Sequence, residues 1–315
     1  MSSPMEPKRI DMHQAAAKLA AADGILVVCH KCPDGDAWGS AFALCGALLS
    51  LGKRAAVAGA SELPALYAYL RPLAGGLPGE PGLVVSVDCS TLERLLVPQT
   101  AVDLSIDHHS AASLYAAETF CRPESASCAE LVLGIIDLLG APVTPAVAAA
   151  IYTGLSTDTG CFRFANTTPD THRAAARMIE CGADAGELNR ILFDTRTVAQ
   201  IHLERALLDS LRLFEGGQVA VARITLADIA ACRAVETDYD GLSAVPRSVE
   251  GVRFGILLRQ IEGGWKGSVR TVHDSAAAVA MAFGGGGHIR AAGFEAAGDA
   301  DALTKKIVEE CRKQL

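Results

Sequence analysis

Short apolar runs alternate with longer amphipathic stretches along the first half of the chain. Four runs rich in Val, Leu, Ile and Ala predict strands at residues 25–29, 54–60, 83–88 and 101–107. Four longer stretches with helical spacing of apolar residues predict helices at residues 37–52, roughly 126–140, 145–156 and 169–182. Short apolar strands between helices are typical of a parallel sheet with helices on both faces. The first half therefore predicts an α/β fold.

The pattern changes in the second half. Residues 186–214 read as helical and charged, which is typical of a connection between domains. Beyond them, strands are predicted at 218–224, 253–262 and 265–272, and helices at 275–283 and 299–314. A Gly-Gly turn joins the last two strands and indicates a hairpin. We predict a parallel-sheet domain at residues 1–190, a helical linker at 191–216, and a smaller mixed-sheet α/β domain at 217–315.

Composition and charge narrow the class of protein. Half of the 315 residues are hydrophobic and a fifth are charged, which is typical of a globular chain. The net charge of −8 argues against broad electrostatic binding of long nucleic acid, but it allows a short phosphate substrate that is bound locally. The first residues, "MSSPMEPKRIDMHQ", contain no apolar segment, and no apolar run has membrane-spanning length. We expect a cytoplasmic protein without a membrane partner.

Ten cysteines raise the question of a redox or zinc protein. Only Cys29 and Cys32 form a close pair, and a structural zinc site would need a second pair. A thioredoxin-type pair opens a helix, whereas Pro33 and Asp34 follow this one. We interpret Cys29 as a buried strand residue and the cysteines as reduced thiols, with a redox or zinc protein kept as an alternative.

Imidazole and carboxylate groups follow the predicted strands and one apolar helical stretch. They are His30, Asp34, Asp36, Asp88, Asp107, His108, His109 and Asp158. One Asp at a strand end is usually a turn residue, but four segments that each deliver such groups to one sheet edge point to a ligand site. Oxygen and nitrogen ligands suit Mn²⁺, Mg²⁺, Fe²⁺ or Zn²⁺, and the carboxylates suffice for two ions. Two ions can bind both the attacking and the leaving oxygen of a phosphoryl group.

A run of four glycines, "FGGGGHIRAAGF", lies in the second domain. Glycines permit left-handed backbone conformations, and their amides can approach a phosphate closely. The run lacks the spacing of a dinucleotide-binding loop and the Lys-Ser/Thr of a P-loop. A flexible linker is the alternative, but His288 and Arg290 directly after the glycines favour a phosphate-binding segment.

Five segments, taken in order, resemble one family. "HKCPDGDAWGS", "VVSVD", "IDHH" and "YTGLSTDTGCFRFANTTPDTH" resemble the four motifs of the DHH phosphoesterase superfamily. "GGGGHIRAAGF" resembles the glycine-rich signature of its DHH-associated C-terminal domain. The resemblance extends over about residues 20 to 298. It implies a catalytic, metal-binding first domain and a substrate-binding second domain.

The resemblance also implies roles for individual residues. Its metal ligands form two sets, His30, Asp34 and Asp88 for one ion, and Asp36, Asp88, His108 and Asp158 for the other. Mn²⁺ is the family's usual ion, with Mg²⁺ or another divalent ion as an alternative, and the two ions would activate a water as nucleophile. Asp107 would orient His108 or support its loop, and His109 would meet the substrate phosphate and act as the general acid. The implied substrate-binding residues are Arg270, Gly285, Gly286, Gly287, His288 and Arg290.

Within the superfamily, the chain resembles the small oligoribonucleases that also remove the 3′-phosphate of adenosine 3′,5′-bisphosphate (PAP). We therefore expect a metal-dependent phosphoesterase that hydrolyses short oligoribonucleotides, PAP or both. A phosphodiesterase for cyclic di-AMP or for its linear product pApA is the alternative. A catalytically inactive nucleotide-binding module is a further alternative, from another class. The partners would be short RNA or phosphorylated nucleotides, and a homodimer is left open.

Overall fold

The computed structural model describes residues 7–99, 101–110, 112–239 and 241–315. The chain divides into two compact units, one that ends at Thr195 and one from Arg196 to Leu315. In the described residues no helix is both long and apolar enough to cross a membrane.

The N-terminal unit is built on a six-stranded sheet in which every pairing is parallel. Its strands are β1 (Lys8–Arg9), β2 (Ile25–Val28), β3 (Ala55–Val57), β4 (Leu83–Val87), β5 (Leu104–Asp107) and β6 (Glu118–Cys121). The helices are α1 (Met12–Ala21), α2 (Gly35–Ser50), α3 (Cys128–Leu139), α4 (Pro145–Asp158), α5 (Pro169–Glu180) and α6 (Ala185–Asn189). The spatial order of the strands is β1-β6-β5-β4-β2-β3.

The two faces of this sheet are covered unequally. On one face, alternate strand residues such as Val27 and Val85 join the main apolar core with α1, α2, α3 and α4. On the other face, Val28 belongs to a smaller apolar cluster with Leu95 and Val102, from the segments that follow β4. The alternation arises because successive side chains of a strand point to opposite faces. The carboxyl ends of β2, β4 and β5 therefore meet at one edge between these layers.

Two strands of this sheet, β1 and β6, were absent from the sequence prediction. The edge strand β1 consists of two exposed residues, and it is specified by its parallel pairing with β6 rather than by any apolar pattern. The strand predicted at 54–60 is shorter, since β3 ends at Val57 and Gly59 adopts a left-handed conformation. The strand predicted at 83–88 ends at Val87, which leaves Asp88 just outside the sheet.

The C-terminal unit has a mixed sheet of six strands. They are β7 (Arg212–Phe214), β8 (Val219–Ile224), β9 (Phe254–Ile261), β10 (Gly264–Thr271), β11 (Gly286–Gly287) and β12 (Ala291–Ala296), in the order β11-β12-β10-β9-β8-β7. Among the described strands of this second sheet, only β8 and β9 pair in parallel. The helices are α7 (Val198–Ser210), α8 (Leu226–Cys232), α9 (Ala276–Met281) and α10 (Ala300–Arg312). The α/β class predicted for both halves is confirmed.

The segment 186–214 differs from the continuous helical connection that the sequence indicates. A π-helical turn at Arg190–Asp194 follows α6, α7 begins at Val198, and the segment ends in strand β7. Thr197 caps α7 by accepting a hydrogen bond from the amide of Gln200, as part of a capping box. A new helix start therefore interrupts the helical pattern within the charged stretch.

Candidate metal centre

His30 and Asp34 lie in the loop between β2 and α2. The Nδ1 atom of His30 lies 2.8 Å from the carbonyl oxygen of Lys31. Because a carbonyl only accepts, Nδ1 carries a hydrogen, and Nε2 is the ring atom that a cation could bind after it loses its own proton. Nε2 lies 3.8 Å from Oδ1 of Asp34 and 3.5 Å from Oδ2 of Asp88. Asp34 caps α2, and its Oδ1 accepts hydrogen bonds from the amides of Asp36 and Ala37 at 3.0 Å.

Asp36, in the first turn of α2, is fully buried and bound to the N-terminus of α3. Its Oδ2 accepts a hydrogen bond from the amide of Cys128 at 2.7 Å, and its Oδ1 accepts one from Ala129 at 2.9 Å. The hydroxyl of Ser40, one turn along α2, donates to Oδ1 at 3.2 Å. These amides would otherwise be unsatisfied at a helix start, where the helix dipole also favours a negative charge. The carboxylate is thus held at a fixed position.

Two glycines allow α2 and α4 to approach closely enough to place Asp36 beside the end of α4. A Cβ atom at Gly154 would lie 2.6 Å from Oδ1 of Asp36 and 2.4 Å from Cβ of Ala129. A Cβ atom at Gly39 would lie 2.5 Å from the carbonyl oxygen of Ala150. Neither position has room for a larger residue, so the close crossing of the helices depends on both glycines.

Asp88 follows β4 with a φ of 51°, a left-handed conformation that a non-glycine residue seldom adopts. The residue is buried, and its two oxygens face different imidazoles. Oδ1 lies 3.4 Å from Nε2 of His108, and Oδ2 lies 3.5 Å from Nε2 of His30. Oδ1 has no hydrogen-bond partner among the described residues. Such local strain is typical of functional positions, and the orphaned buried oxygen points to a missing ligand.

The ring of His108 is oriented by Ser125, which is itself hydrogen-bonded to Glu130. The hydroxyl of Ser125 donates a hydrogen bond to Oε2 of Glu130 at 2.5 Å, and the carbonyl oxygen of Ser125 lies 3.3 Å from Nδ1 of His108. Nε2 of His108 therefore faces the carboxylates, 3.7 Å from Oδ2 of Asp158 and 3.8 Å from Oδ2 of Asp36. Sequence reasoning missed Glu130. Its only signal was a helix-capping pattern with Ser127, which does not indicate a bond to Ser125.

Asp107, at the end of β5, is fully buried and turns the ring of His109. Its Oδ1 accepts hydrogen bonds from the amides of His108 and His109, at 2.8 and 3.1 Å, and from Nδ1 of His109 at 2.7 Å. The side chain thus fixes the ring of His109, and it reaches His108 only through the backbone amide. The hydrogen bond to Asp107 raises the pKa of His109 above its usual value. Nε2 of His109 is left free to meet a ligand.

The six implied metal ligands are brought together in the N-terminal unit. Within each of three groups, ligand atoms lie within 4.8 Å of one another: His30, Asp34 and Asp88; Asp36, His108 and Asp158; Asp88, His108 and His109. The first group is one of the two sets implied by the sequence resemblance. The second group is the other set without Asp88, whose Oδ1 approaches His108 at 3.4 Å.

The electrostatics of the cluster indicate that cations belong in it. Burial raises the pKa of Asp36 well above its usual value, and the charges of Asp88 and Asp158 add to the effect. Burial likewise raises the pKa of Asp158 to about 6. Burial lowers the pKa of His30, but hydrogen bonds to carboxylates outweigh it and raise the value to about 11; the pKa of His108 rises in the same way to about 10. Crowded carboxylates and imidazoles are the donor set of a divalent cation, and these residues fit one.

The cysteines do not contribute to this cluster. All ten are free thiols, and no metal-ligand group among the described residues contains one. Cys29 is buried, and burial raises the pKa of its thiol. Cys32 is exposed and has a φ of 50°. The geometry gives the redox or zinc alternative no support.

The glycine-rich segment of the C-terminal unit forms β11 and the turn to β12. A Cβ atom at Gly285 would lie 2.2 Å from the carbonyl oxygen of Gly293. Gly287 has a φ of 144°, and its Cβ atom would lie 2.7 Å from the carbonyl oxygen of Ala291. Both glycines are thus required by the close approach of the two strands. Gly286 differs, since a Cβ atom there would meet no described atom within 4 Å.

The predicted basic residues lie close to that segment. Arg270 on β10 is in register with Ala291 on β12, and the amide of the next residue, Thr271, bonds the carbonyl of Arg290. Burial lowers the pKa of Arg270, and the positive charge of the neighbouring Arg247 lowers it further. In the described residues its side chain bonds only a backbone carbonyl of its own strand. His288 is exposed in the turn, and Arg290 donates to the carbonyl of Asp274 at 2.8 Å.

Known proteins share this arrangement of sequence and fold. Residues 24–155 match the DHH family, N-terminal domain. The chain is 35% identical over 314 residues to the "Bifunctional oligoribonuclease and PAP phosphatase NrnA" of Thermus thermophilus, covering 96% of this chain and 94% of the relative. It is 24% identical to the protein of the same name from Bacillus subtilis, over 86% and 88% of the two chains. A crystal structure of an exopolyphosphatase-related protein from Bacteroides fragilis has the same fold, with a TM-score of 0.83, 24% identity and 96% coverage of both chains.

Proposed function

The chain belongs to the DHH family, and we propose that it is a metal-dependent phosphoesterase that hydrolyses short oligoribonucleotides and PAP. It is a hydrolase that acts on phosphoester bonds. The observation that carries the proposal is the position of Asp88, whose two oxygens face the imidazoles of His30 and His108 at 3.5 and 3.4 Å. A single buried carboxylate between two ligand sets is what two adjacent cations need.

The proposed cofactor is a pair of divalent ions, with Mn²⁺ as the expected metal. One ion would be held by His30, Asp34 and Asp88, and the other by Asp36, Asp88, His108 and Asp158. Bound ions would supply a water of lowered pKa and stabilise the charge that develops on the phosphate oxygens. The amides at the start of α3 keep the Asp36 carboxylate in place, and the Ser125 carbonyl keeps Nε2 of His108 turned toward the carboxylates.

His109 is proposed as the general acid, with Asp107 as the residue that positions it. Because Nδ1 of His109 is held by Oδ1 of Asp107 at 2.7 Å, only Nε2 can exchange a proton with a substrate. The same hydrogen bond fixes the ring orientation. His109 would protonate the leaving oxygen as the phosphoester bond breaks.

The glycine-rich segment is proposed to bind the substrate's phosphate. Gly286 supports this role, because nothing within the described chain requires a glycine there, whereas a ligand that approaches the backbone would. Arg270, His288 and Arg290 supply cationic or hydrogen-bonding groups around the segment. The side chain of Arg270 has no acidic partner in the described chain, so its guanidinium is available for a terminal phosphate.

The test is Mn²⁺-dependent hydrolysis of a substrate panel by the wild type and two variants. The panel holds a labelled five-nucleotide RNA, PAP, pApA and cyclic di-AMP. We expect the wild type to cleave the RNA and PAP. Asp88→Asn should abolish turnover of every substrate, because it weakens both ion sites. Asp170→Asn, which changes an exposed carboxylate on α5, is the matched control and should retain activity.

Each outcome of the panel is decisive for one part of the proposal. Full activity of Asp88→Asn under Mn²⁺ would refute the shared carboxylate. Cleavage of cyclic di-AMP or pApA alone would assign the alternative substrate to the same centre. Binding of Mn²⁺ without turnover of any substrate would favour the inactive nucleotide-binding module.

A further inference from the structure

A cationic cavity of about 250 Å³ lies within the C-terminal unit, between the edge strand β7 and the beginning of α10. Three basic side chains line it: Arg212 from β7, Arg223 from β8 and Lys305 from α10. Asp301 is the acidic residue in the lining. A concentration of positive charge is unexpected here, because the whole chain carries a net charge of −8.

Two of the three basic groups in this cavity, Arg212 and Lys305, have no acidic partner in the described chain. Arg212 is in register with Val221, so Arg223, two residues further along β8, is its diagonal neighbour on the same face of the sheet. Two like charges in such positions repel each other. Asp301 is paired with Arg223 at 3.1 Å. In the described part of the chain, neither Arg212 nor Lys305 has a side-chain hydrogen bond or ion pair, so two positive charges are left for an external anion.

The remaining lining suits more than a bare anion. Phe214 and Val221 form an apolar floor beside the cations. Ser210 and Arg223 also line a second cavity of about 510 Å³, whose lining includes the acidic residues Asp209 and Asp228. Apolar side chains beside the cations give the organic part of a phosphate monoester a surface to contact, which a free inorganic ion would not use.

We propose that this cavity binds a phosphate monoester, with Arg212, Arg223 and Lys305 as its cationic ligands. It is a site additional to the metal centre, since all of its residues belong to the C-terminal unit and none is among the proposed metal or substrate ligands. Arg212 supplies a planar guanidinium for two phosphate oxygens, and Lys305 supplies a point charge from the facing helix. The 5′-phosphate of a mononucleotide and inorganic phosphate share this chemistry.

The test follows the backbone amide resonances of Ala222 and Thr304, which line the cavity, in the full chain with Mg²⁺. The ligands titrated are AMP, inorganic phosphate and adenosine. Saturable shifts with AMP and phosphate, but not with adenosine, are the expected result. AMP binding at least tenfold tighter than phosphate would identify a nucleotide as the ligand, and equal affinity would identify free phosphate. Equal shifts with adenosine and AMP, or no shift with any of the three, would overturn the proposal.

Variants that remove one charge from the cavity lining test whether positive charge is what binds the ligand. Arg212→Gln and Lys305→Gln should each weaken AMP binding by about tenfold, because each removes a charge-assisted hydrogen bond. Asp301→Asn should tighten it, because it removes the negative charge from the lining. Lys306→Gln changes the neighbouring lysine, which is exposed like Lys305 but does not line the cavity; it is the matched control and should bind as the wild type does. A wild-type affinity in both Arg212→Gln and Lys305→Gln would refute the site, whatever the activity at the metal centre.

Discussion

The close crossing between α4 and its neighbours can be tested by adding one methyl group at Gly154. The new Cβ atom would lie 2.4 Å from Cβ of Ala129 and 2.6 Å from Oδ1 of Asp36, whereas ordinary contacts begin at 3.4 Å. The Cβ atom of Ala129 cannot rotate away, and the Asp36 carboxylate is held by hydrogen bonds from the amides of Cys128 and Ala129. In Gly154→Ala, either α4 or the start of α3 must therefore shift by about 1 Å.

Two opposing effects set the size of the change in stability. Alanine is favoured over glycine within a helix by about 1 kcal/mol. Overpacking of a tight core costs about 1–3 kcal/mol. We expect the free energy of unfolding of the metal-free chain to fall by up to about 2 kcal/mol. The effect on metal binding should be more pronounced, because the shift acts on a carboxylate whose hydrogen bond to Ala129 is only 2.9 Å long. A loss of about tenfold to a hundredfold in Mn²⁺ affinity is the expected result.

The assay combines urea unfolding in EDTA with Mn²⁺ titration of the folded protein. Gly186→Ala on α6 is the matched control, since its Cβ atom would make only an ordinary contact, at 3.5 Å from Oδ1 of Asp184. The control should retain both its stability and its Mn²⁺ affinity. If Gly154→Ala bound Mn²⁺ as tightly as the control, the crossing of α4 would not determine where the Asp36 carboxylate lies.

Further predictions concern the proposed metal ligands, the side chain that holds Ser125, and the proposed substrate-binding residue Arg270. With pKa values of about 11 for His30 and about 10 for His108, both rings are protonated in the metal-free chain at pH 8. Mn²⁺ binding should therefore release about two protons, and the Mn²⁺ affinity should increase as pH rises. Calorimetry of Mn²⁺ binding in buffers of different ionisation enthalpy would contradict this prediction if it found no proton release. The stability that these rings give the metal-free chain is present below pH 6.5 and lost as pH rises through about 10 and 11, which urea unfolding at a series of pH values would test. Glu130→Ala should lower Mn²⁺ affinity about tenfold, because it removes the oxygen that accepts the hydrogen bond of the Ser125 hydroxyl. Glu124→Ala, which changes an exposed carboxylate in the turn before α3, is the control. Arg270→Ala should raise KM for substrates with a terminal phosphate and leave kcat nearly unchanged, so a fall in kcat alone would contradict its proposed binding role.

The positions of the candidate ligands were predictable because they follow from local patterns. An apolar run that stops at a polar residue marks a strand end, and the ends of parallel strands lie at one edge. That rule places His30, Asp88 and His108 together without any knowledge of the packing. It also explains why the α/β class was predictable from the alternation of strands and helices.

The remaining features depend on contacts between distant parts of the chain. The amides that hold Asp36 belong to Cys128 and Ala129, which are 92 and 93 positions further along the chain. No local sequence pattern indicates these hydrogen bonds. Strand β1 has no apolar signal, since its two residues are exposed and paired with β6. The role of Glu130 arises only after the chain has folded, when Ser125 is brought beside His108. Sequence periodicity reports burial, and it does not report such pairings.

The left-handed conformation of Asp88 has an evolutionary consequence. At this position the residue that best suits the backbone is glycine, and the residue that best suits a cation is aspartate. Substitutions that improve folding here remove a ligand, so selection for hydrolysis must retain a residue that selection for stability alone would replace. In a lineage that kept the fold but no longer needed the reaction, this position should be among the first to change to glycine or asparagine. Its identity in a descendant would then record whether the reaction was still under selection.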